Sequence, residues 1–197
     1  MAKRLMDLLG AGLGLLLLAP LLLPIALLIK LDSPGPVFYR QVRVGRFGRE
    51  FRIHKFRTMR DAPVVSGPQI TVGADPRITR TGAWLRHSKL DELAQLIDVL
   101  LGDMSLVGPR PDVPRYVALY PPELRDKVLS VRPGITDIAS IEYRHESRLL
   151  GESADPEHTY VHEVLPAKLA LQARYVDQAG VITDVALIAR TLRALFH

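Results

Sequence analysis

The chain contains no cysteine among its 197 residues. That absence excludes a disulfide framework, a thiolate nucleophile, an iron–sulfur cluster and a cysteine-based zinc site. The sequence also has no internal repeat and no helix-turn-helix, RNA-binding or zinc-finger motif. We therefore expect no nucleic-acid partner, and we expect His145, His158 and His162 to lie at the surface.

Charge is missing from one long segment, residues 8–29, which reads LLGAGLGLLLLAPLLLPIALLI. This segment explains why the mean hydropathy is +0.11 although 24% of the residues are charged. A helix of that length would measure about 33 Å, enough to cross the hydrocarbon core of a bilayer. The segment is too long for the apolar part of a signal peptide, and no small-residue cleavage site follows it. The remaining residues suffice for one domain with a core of its own.

Two prolines and the flanking charges favour a re-entrant hairpin over a spanning helix. Pro20 and Pro24 each remove a backbone hydrogen bond, and two such breaks one turn apart can reverse the direction of a helix. Basic residues lie on both sides of the apolar run, which places both ends on the same side of the membrane by the positive-inside rule. We predict a re-entrant membrane hairpin over residues 1–32 and a separate domain over residues 33–197, although the residues alone leave a spanning helix open.

A strongly basic segment follows the apolar run. Residues 37–42 and 50–56 have the composition of two strands, with Gly45 and Gly48 in the turn between them. Such a hairpin can contact anionic lipid headgroups, or it can bind phosphate, because guanidinium groups match phosphate oxygens. The segment at residues 61–75, which is rich in proline and glycine, predicts a mobile loop.

The best helical pattern outside the apolar run covers residues 82–101 and ends at Gly102. Ser88 precedes Asp91 by three residues, which is the spacing of a capping box and indicates a start within this segment. Asp91 and Glu92 would then lie in the first turn, where free N–H groups stabilise anions and attract phosphate. The two acids can flank a common metal, take separate roles, or act only as capping residues.

Further motifs follow this helix. Pro109 and Pro111 hold Arg110 on a stiff, extended segment, and Arg132 precedes the proline of a second rigid turn. A helix is predicted from Pro166 through Val176. A final amphipathic helix is predicted over residues 184–196, where it would pack on the core or lie on the membrane. Together these elements predict an α+β, mostly helical fold with a short β-hairpin and amphipathic helices at the membrane interface.

The order of four motifs resembles that of the bacterial sugar transferase family, the monotopic phosphoglycosyl transferases. The motifs are KFRTM at 55–59, LDEL at 90–93 followed by Gln95, GDMSLVGPRP at 102–111 and VRPGIT at 131–136. Each motif alone is weak, but the four in this order are specific. The resemblance runs from Lys3 to about Phe196, and it is to the small members that contain little beyond the catalytic unit.

The resemblance implies a reaction. A sugar-1-phosphate passes from a UDP-sugar to polyprenol (undecaprenyl) phosphate, with release of UMP, in the first membrane step of glycoconjugate assembly. It implies Mg²⁺ as cofactor and a covalent phosphosugar on Asp91, with Glu92 beside it as an acid/base or metal group. It also implies a catalytic domain on the cytoplasmic face of the bacterial inner membrane, in contact with bilayer lipids; a homodimer stays open.

The resemblance also assigns residues by position. The break in the re-entrant helix falls at Ala19-Pro20, with Pro24 one turn later, although the family has a serine or similar residue before this proline. Asp91 and Glu92 would bind the metal. Contacts to the donor are carried over to seven residues: Lys55, Arg57, Arg86, Pro109, Arg110, Pro111 and Arg132.

Two departures from the family pattern concern Ala94, where proline is usual, and Asp137-Ile-Ala139, where Gly-Trp-Ala is common. The second departure leaves the donor sugar open. Two rival hypotheses remain: a Mg²⁺-dependent transferase in which the lipid phosphate attacks directly, and a non-catalytic membrane adaptor.

Overall fold

The computed structural model describes residues 1–60 and 75–195, so the loop predicted over residues 61–75 lies outside the described residues except for Asp75. The helices are α1 (Ala2–Asp32), α2 (Arg80–His87), α3 (Gln95–Leu101), α4 (Pro114–Val117), α5 (Pro122–Val128), α6 (Ile138–Glu142), α7 (Glu146–Gly151), α8 (Pro156–Thr159), α9 (Leu165–Gln178) and α10 (Val181–Leu195). The strands are β1 (Phe38–Val44), β2 (Glu50–Phe56), β3 (Ser105–Val107) and β4 (Gly134–Thr136). The predicted fold class, α+β and mostly helical, is confirmed.

Helix α1 contains the whole apolar run and is continuous through Pro20 and Pro24. By length and composition it could cross a membrane. One stripe of the helix packs against β2, α2 and α3, through Ala11, Ile25 and Ile29. Most of its other leucines are exposed, as are Ala19 and both prolines. The reversal of direction at Ala19-Pro20 therefore stays a prediction, because the structure gives one helix rather than two.

Polar side chains fix both ends of α1 to the rest of the chain. The Lys3 ammonium donates to the carbonyl of Val107 (2.9 Å) and pairs with the fully buried carboxylate of Asp184 in α10. The guanidinium of Arg4 donates to the carbonyl of Val99 (2.7 Å), near the end of α3. At the other end, the Asp32 carboxylate accepts from the N–H of Thr81 (2.7 Å) in α2. Helix α1 is thus part of the packed structure along its length.

Replacing Lys3 tests this structural role. We expect Lys3→Met to lower the free energy of unfolding by about 2 kcal/mol, because Asp184 keeps its bond from the Tyr175 hydroxyl but loses its cation in a buried site. Lys30→Met, at an exposed position near the other end of α1, is the control with the same gain in apolar surface. Thermal unfolding in detergent micelles compares the two variants, and equal midpoints would contradict the expectation.

Strands β1 and β2 form the predicted antiparallel hairpin, with Tyr39 opposite Lys55 and Val44 opposite Glu50. Its turn is a short 3₁₀ segment, Arg46–Gly48, in which Phe47 has a positive φ of 58°. Val44, the last residue of β1, belongs to an apolar cluster with residues of α4, α5 and α9. The hairpin therefore lies between α1 and α3 on one side and the carboxyl-terminal helices on the other.

Strands β3 and β4 form a short parallel pair that the sequence did not predict. Gly108 follows β3 and Gly134 begins β4, and the two backbones lie so close that a Cβ on Gly134 would fall 2.0 Å from the nitrogen of Gly108. Only glycine permits this approach. The pairing continues past β3, since the N–H of Gly134 donates to the carbonyl of Pro109 (3.0 Å). The extended Pro109-Arg110-Pro111 segment is therefore joined to the VRPGIT turn.

The single helix predicted over residues 82–101 is wrong. Lys89 adopts the left-handed conformation (φ 57°), which ends α2 and starts a 3₁₀ turn, Leu90–Glu92, before α3. Ser88 is not the capping residue: its hydroxyl donates to the carbonyl of Trp84 (2.8 Å), and Thr79 caps α2 instead. The leucine spacing that predicted one helix does not mark its buried side, since Leu100 is exposed while Leu96 and Val99 are buried.

The predictions for the carboxyl-terminal helices are confirmed with shifted ends. Gly102 ends α3 with φ 95°, and α9 begins with a proline in its first turn. In α10, Asp184 and Leu187 are buried, whereas the apolar residues Val185 and Leu192 are exposed. His145, His158 and His162 lie at the surface, as expected.

Candidate active site

The acidic pair lies in the 3₁₀ turn between α2 and α3. The left-handed Lys89 redirects the chain just before the turn, a conformation that costs a non-glycine residue about 1 kcal/mol or more. Asp91 is buried, with 2% of its surface exposed, while Glu92 is half-buried. A strained turn that buries a carboxylate is the kind of local cost found at functional sites.

Lys55 of β2 bridges the two acids. Its Nζ lies 2.8 Å from Oδ2 of Asp91 and 3.2 Å from Oε1 of Glu92. The neighbouring acids therefore meet at one cation, even though adjacent side chains on a regular helix would diverge by about 100°. The 3₁₀ turn makes this convergence possible, and it places a positive charge where an incoming phosphate group would meet the carboxylates.

Arg110 binds Glu92 from the other side. Its Nη1 donates to Oε2 of Glu92 (3.1 Å) and its Nη2 to Oε1, so the guanidinium forks over the carboxylate. Burial opposes ionisation of Glu92, but the charges of Arg110 and Lys55 hold the pKa of this carboxyl well below its usual range. The charge of Glu92 in turn raises the pKa of the Arg110 guanidinium. Glu92 is therefore ionised at neutral pH.

The segment carrying Arg110 is held through three of its backbone polar groups, including the carbonyl of Pro109 described above. The N–H of Arg110 is the one main-chain donor between two prolines, and it donates to the carboxylate of Asp137 (3.3 Å). The carbonyl of Pro111 accepts from Nη1 of Arg43 (2.9 Å). Pro109 and Pro111 thus line the site as a rigid support for the arginine rather than through polar side chains of their own.

Three further residues predicted to contact the donor have hydrogen-bond partners other than the acidic pair. The buried guanidinium of Arg57 donates to the carbonyls of Ser33 and Pro34, both at 2.7 Å, so it fixes the end of α1. Nε of Arg86 donates to the hydroxyl of Thr58 (3.1 Å). Nε of Arg132 donates to the carbonyl of Gly102 (2.8 Å) at the end of α3. The structure thus joins Lys55 and Arg110 to the acidic pair and gives Arg57 and Arg132 backbone partners elsewhere.

The oxygen groups present fit a Mg²⁺ ion bound through few protein ligands. Asp91 offers a buried carboxylate, and the side-chain oxygen of Gln95, four residues later, is buried without a hydrogen-bond partner. Within residues 1–60 and 75–195 no group of three or more His, Cys, Asp or Glu residues could hold a metal. A single buried carboxylate such as that of Asp91 is compatible with Mg²⁺, which is usually bound by one or two carboxylates together with substrate phosphates. Both oxygens of Glu92 accept hydrogen bonds from Arg110, which favours Asp91 as the ligand.

His54, next to Lys55 in β2, forms a hydrogen-bonded pair with the buried Asp98 that the sequence did not predict. Oδ2 of Asp98 in α3 accepts from the N–H of His54 (2.8 Å), and its Oδ1 lies 2.6 Å from Nδ1 of the same ring. Nε2 of His54 lies 2.6 Å from Nη1 of Arg40. Burial raises the pKa of Asp98 despite the bonds from His54. Because His54 precedes Lys55, this pair fixes the register of β2 against α3. Spacing gave no signal for it, since 44 residues separate the partners.

A third buried network surrounds Asp112, directly after the Pro-Arg-Pro segment. Its Oδ2 accepts from the hydroxyls of Tyr120 (3.1 Å) and Tyr160 (3.2 Å). Burial, followed by the charge of Asp112, raises the pKa of both tyrosines far above the usual range. These tyrosines stay protonated and act as hydrogen-bond donors that hold Asp112 in place.

Comparison with known proteins adds a family and several relatives. A family model described as bacterial sugar transferase matches residues 1–197. The chain is 37% identical to the UDP-N-acetylgalactosamine-undecaprenyl-phosphate N-acetylgalactosaminephosphotransferase of Aeromonas hydrophila, over 98% of this chain and 43% of that protein. It is 41% identical to the exopolysaccharide production protein PSS of Rhizobium leguminosarum bv. phaseoli, over 96% of this chain and 92% of the relative.

A third relative is the UDP-glucose:undecaprenyl-phosphate glucose-1-phosphate transferase of Caulobacter vibrioides, with 38% identity over 98% of this chain and 69% of that protein. The chain thus spans less than half of the Aeromonas protein and most of the Rhizobium protein. The names of the Aeromonas and Caulobacter relatives specify different sugars, so similarity at this level does not identify a donor.

Proposed function

Because the chain belongs to the bacterial sugar transferase family, we propose that it transfers a sugar-1-phosphate from a UDP-sugar to polyprenol (undecaprenyl) phosphate and releases UMP. The observation that carries the proposal is the buried Asp91 carboxylate, next to an ionised Glu92 and within reach of Lys55. A carboxylate placed among cations can attack a diphosphate whose own charge is neutralised.

The proposed reaction has two displacements at one phosphorus atom. An oxygen of Asp91 attacks the sugar-bearing phosphorus, the bond from that phosphorus to the bridging oxygen breaks, and UMP leaves with both bonding electrons. An oxygen of the lipid phosphate then attacks the same phosphorus, and the Asp91 carboxylate leaves. The products are a polyprenyl-diphospho-sugar, UMP and the unmodified enzyme, with no net change in oxidation state. Bound Mg²⁺ supplies positive charge to the diphosphate.

The residues around Asp91 have separable roles in this proposal. Lys55 balances the charge of the carboxylates and supplies a cation beside the place where the donor phosphates would bind. Arg110 keeps Glu92 ionised, so Glu92 is suited to hold Arg110 in place rather than to donate a proton. Oriented cations that need no rearrangement stabilise the charge developing on the leaving phosphate.

We also propose that the protein is monotopic, with both termini and the catalytic domain on the cytoplasmic face of the bacterial inner membrane. The contacts at both ends of α1 support this, because a helix that crossed the bilayer alone would leave one end about 30 Å away from the domain. The exposed leucines of α1 supply the lipid-facing surface. Accessibility reporters at the two termini are expected to label on the same face, and labelling on opposite faces would reject the arrangement.

Release of UMP tests the proposed reaction. Purified full-length protein in detergent, with undecaprenyl phosphate and Mg²⁺, is expected to release UMP from at least one UDP-sugar in a panel of glucose, galactose and their N-acetylamino forms. A chelator of divalent cations is expected to stop the release, and added Mg²⁺ to restore it. Absence of UMP with every donor would favour the non-catalytic adaptor.

A further inference from the structure

Asp137 is a fully buried carboxylate that the proposed reaction does not use directly. Its Oδ1 accepts from the N–H of Ser140 (2.6 Å), which caps α6, and its Oδ2 accepts from the side-chain amide of Gln172 (3.0 Å) in α9. The same Oδ2 accepts from the N–H of Arg110 (3.3 Å). One carboxylate thus connects α6, α9 and the segment that carries the arginine of the site.

The bond to Arg110 restrains a peptide group in a segment that two prolines already stiffen. Proline fixes φ at positions 109 and 111, so the orientation of the Arg110 peptide group sets the direction of its side chain. The N–H of that peptide group donates to the carboxylate of Asp137, and its carbonyl, that of Pro109, accepts from the N–H of Gly134. The guanidinium then reaches Glu92 with two hydrogen bonds, a geometry that tolerates little rotation.

The charge of Asp137 acts on the same residue. The donors to its carboxylate named above are two backbone N–H groups and an amide, all of them neutral. A buried carboxylate with neutral partners favours a nearby cation, and the charge of Asp137 contributes to the raised pKa of Arg110. Asp137 therefore orients the Arg110 side chain through the backbone, and its negative charge stabilises the guanidinium cation in the site.

We propose that Asp137 is a positioning residue, which orients Arg110 onto Glu92 and thereby sets the efficiency of donor turnover. The proposal rests on the proposed function, since it assigns Arg110 to the reacting site. Residues acting through one another in this way give non-additive losses when both are replaced.

Asp137→Ser separates positioning from folding. The serine hydroxyl still caps α6 by accepting from the N–H of Ser140, but it is too short to reach Arg110 as well. We expect kcat/KM for the UDP-sugar to fall by about 10-fold or more in this variant, and by a similar factor in Asp137→Asn. Ser140→Ala is the matched control, because the Ser140 hydroxyl is buried without a partner and the backbone donor remains; its activity should stay within about 2-fold of the unmodified protein.

The double variant with Arg110→Met distinguishes positioning from general damage. If Asp137 acts through Arg110, then adding Asp137→Ser to Arg110→Met lowers kcat/KM by less than about 2-fold further. Multiplying losses, or an Asp137→Ser variant as active as Ser140→Ala, would overturn the proposal. Thermal unfolding of the same proteins checks that each of them is folded. An unmodified protein that releases no UMP would reject the proposed function, whereas UMP release with multiplying losses would reject the positioning role alone.

Discussion

Asp91→Asn is expected to lower the rate of UMP release by at least about 10³-fold, or about 4 kcal/mol of transition-state stabilisation. The amide keeps the shape of the side chain but cannot form the covalent bond to phosphorus. Asp91 is buried and its Oδ2 already lies 2.8 Å from Lys55, so the loss does not need a change in fold. Initial rates with saturating donor and acceptor measure the effect.

The matched control for Asp91→Asn is Asp126→Asn, the same chemical change on an exposed aspartate of α5. This variant is expected to keep the unmodified rate. Similar thermal midpoints for the two variants would assign the loss to chemistry. An Asp91→Asn protein that keeps more than about a tenth of the activity would remove Asp91 from the nucleophile's role and favour direct attack by the lipid phosphate.

Arg110→Met is expected to reduce kcat/KM by about 10²-fold and to move the acidic limb of the pH–rate profile to higher pH. Without Arg110, burial still opposes ionisation of Glu92, and only the charges of Lys55 and Lys89 remain among the named cations that lower its pKa. The pKa of Glu92 then rises, so a higher pH is needed for the same ionised fraction. Rates from pH 5 to pH 9 in both proteins measure the shift.

The pH dependence of stability is a second test of the same lowered pKa of Glu92. In the unmodified protein the pKa of Glu92 lies below its ordinary value of 4.5, so its contribution to folding is present above that pH and is lost as the pH falls through the lowered pKa. The difference in thermal midpoint between the unmodified protein and Arg110→Met should therefore increase as the pH rises to about 4.5, and it should remain at pH 7. Arg110→Lys keeps the positive charge but loses the paired hydrogen bonds, so its thermal midpoint should lie between those of the unmodified protein and Arg110→Met. A difference in midpoint that does not vary with pH would contradict this role of Glu92.

The sequence predicted most of the elements and the identity of the acidic pair. Local patterns were sufficient for the β-hairpin, for the end of α3 at Gly102 and for α9, because each depends on neighbouring residues. The break at Lys89 could not be predicted, since a lysine with φ 57° has no local signature and is held there by packing around the turn. The convergence of Asp91 and Glu92 on Lys55 depends on that break.

Long-range partners account for the other differences. Arg57 belongs to a motif that suggested phosphate binding, yet its guanidinium holds the end of α1, 24 residues earlier in the chain. The parallel pairing of β3 with β4 depends on two glycines 26 positions apart (134 against 108). Such contacts follow from the tertiary arrangement, and neither composition nor periodicity encodes them. The departure at Asp137 was visible in the sequence, but its contact with Arg110 became apparent only in the structure.

The covalent phosphosugar on Asp91 is the central claim, and intact-protein mass measurement after incubation with a UDP-sugar and Mg²⁺, without acceptor lipid, tests it most directly. The account predicts a mass increase of one sugar-phosphate group that is absent from Asp91→Asn and disappears when undecaprenyl phosphate is added. A protein that turns over donor and acceptor but never gains this mass, even when quenched within a single turnover, would contradict it.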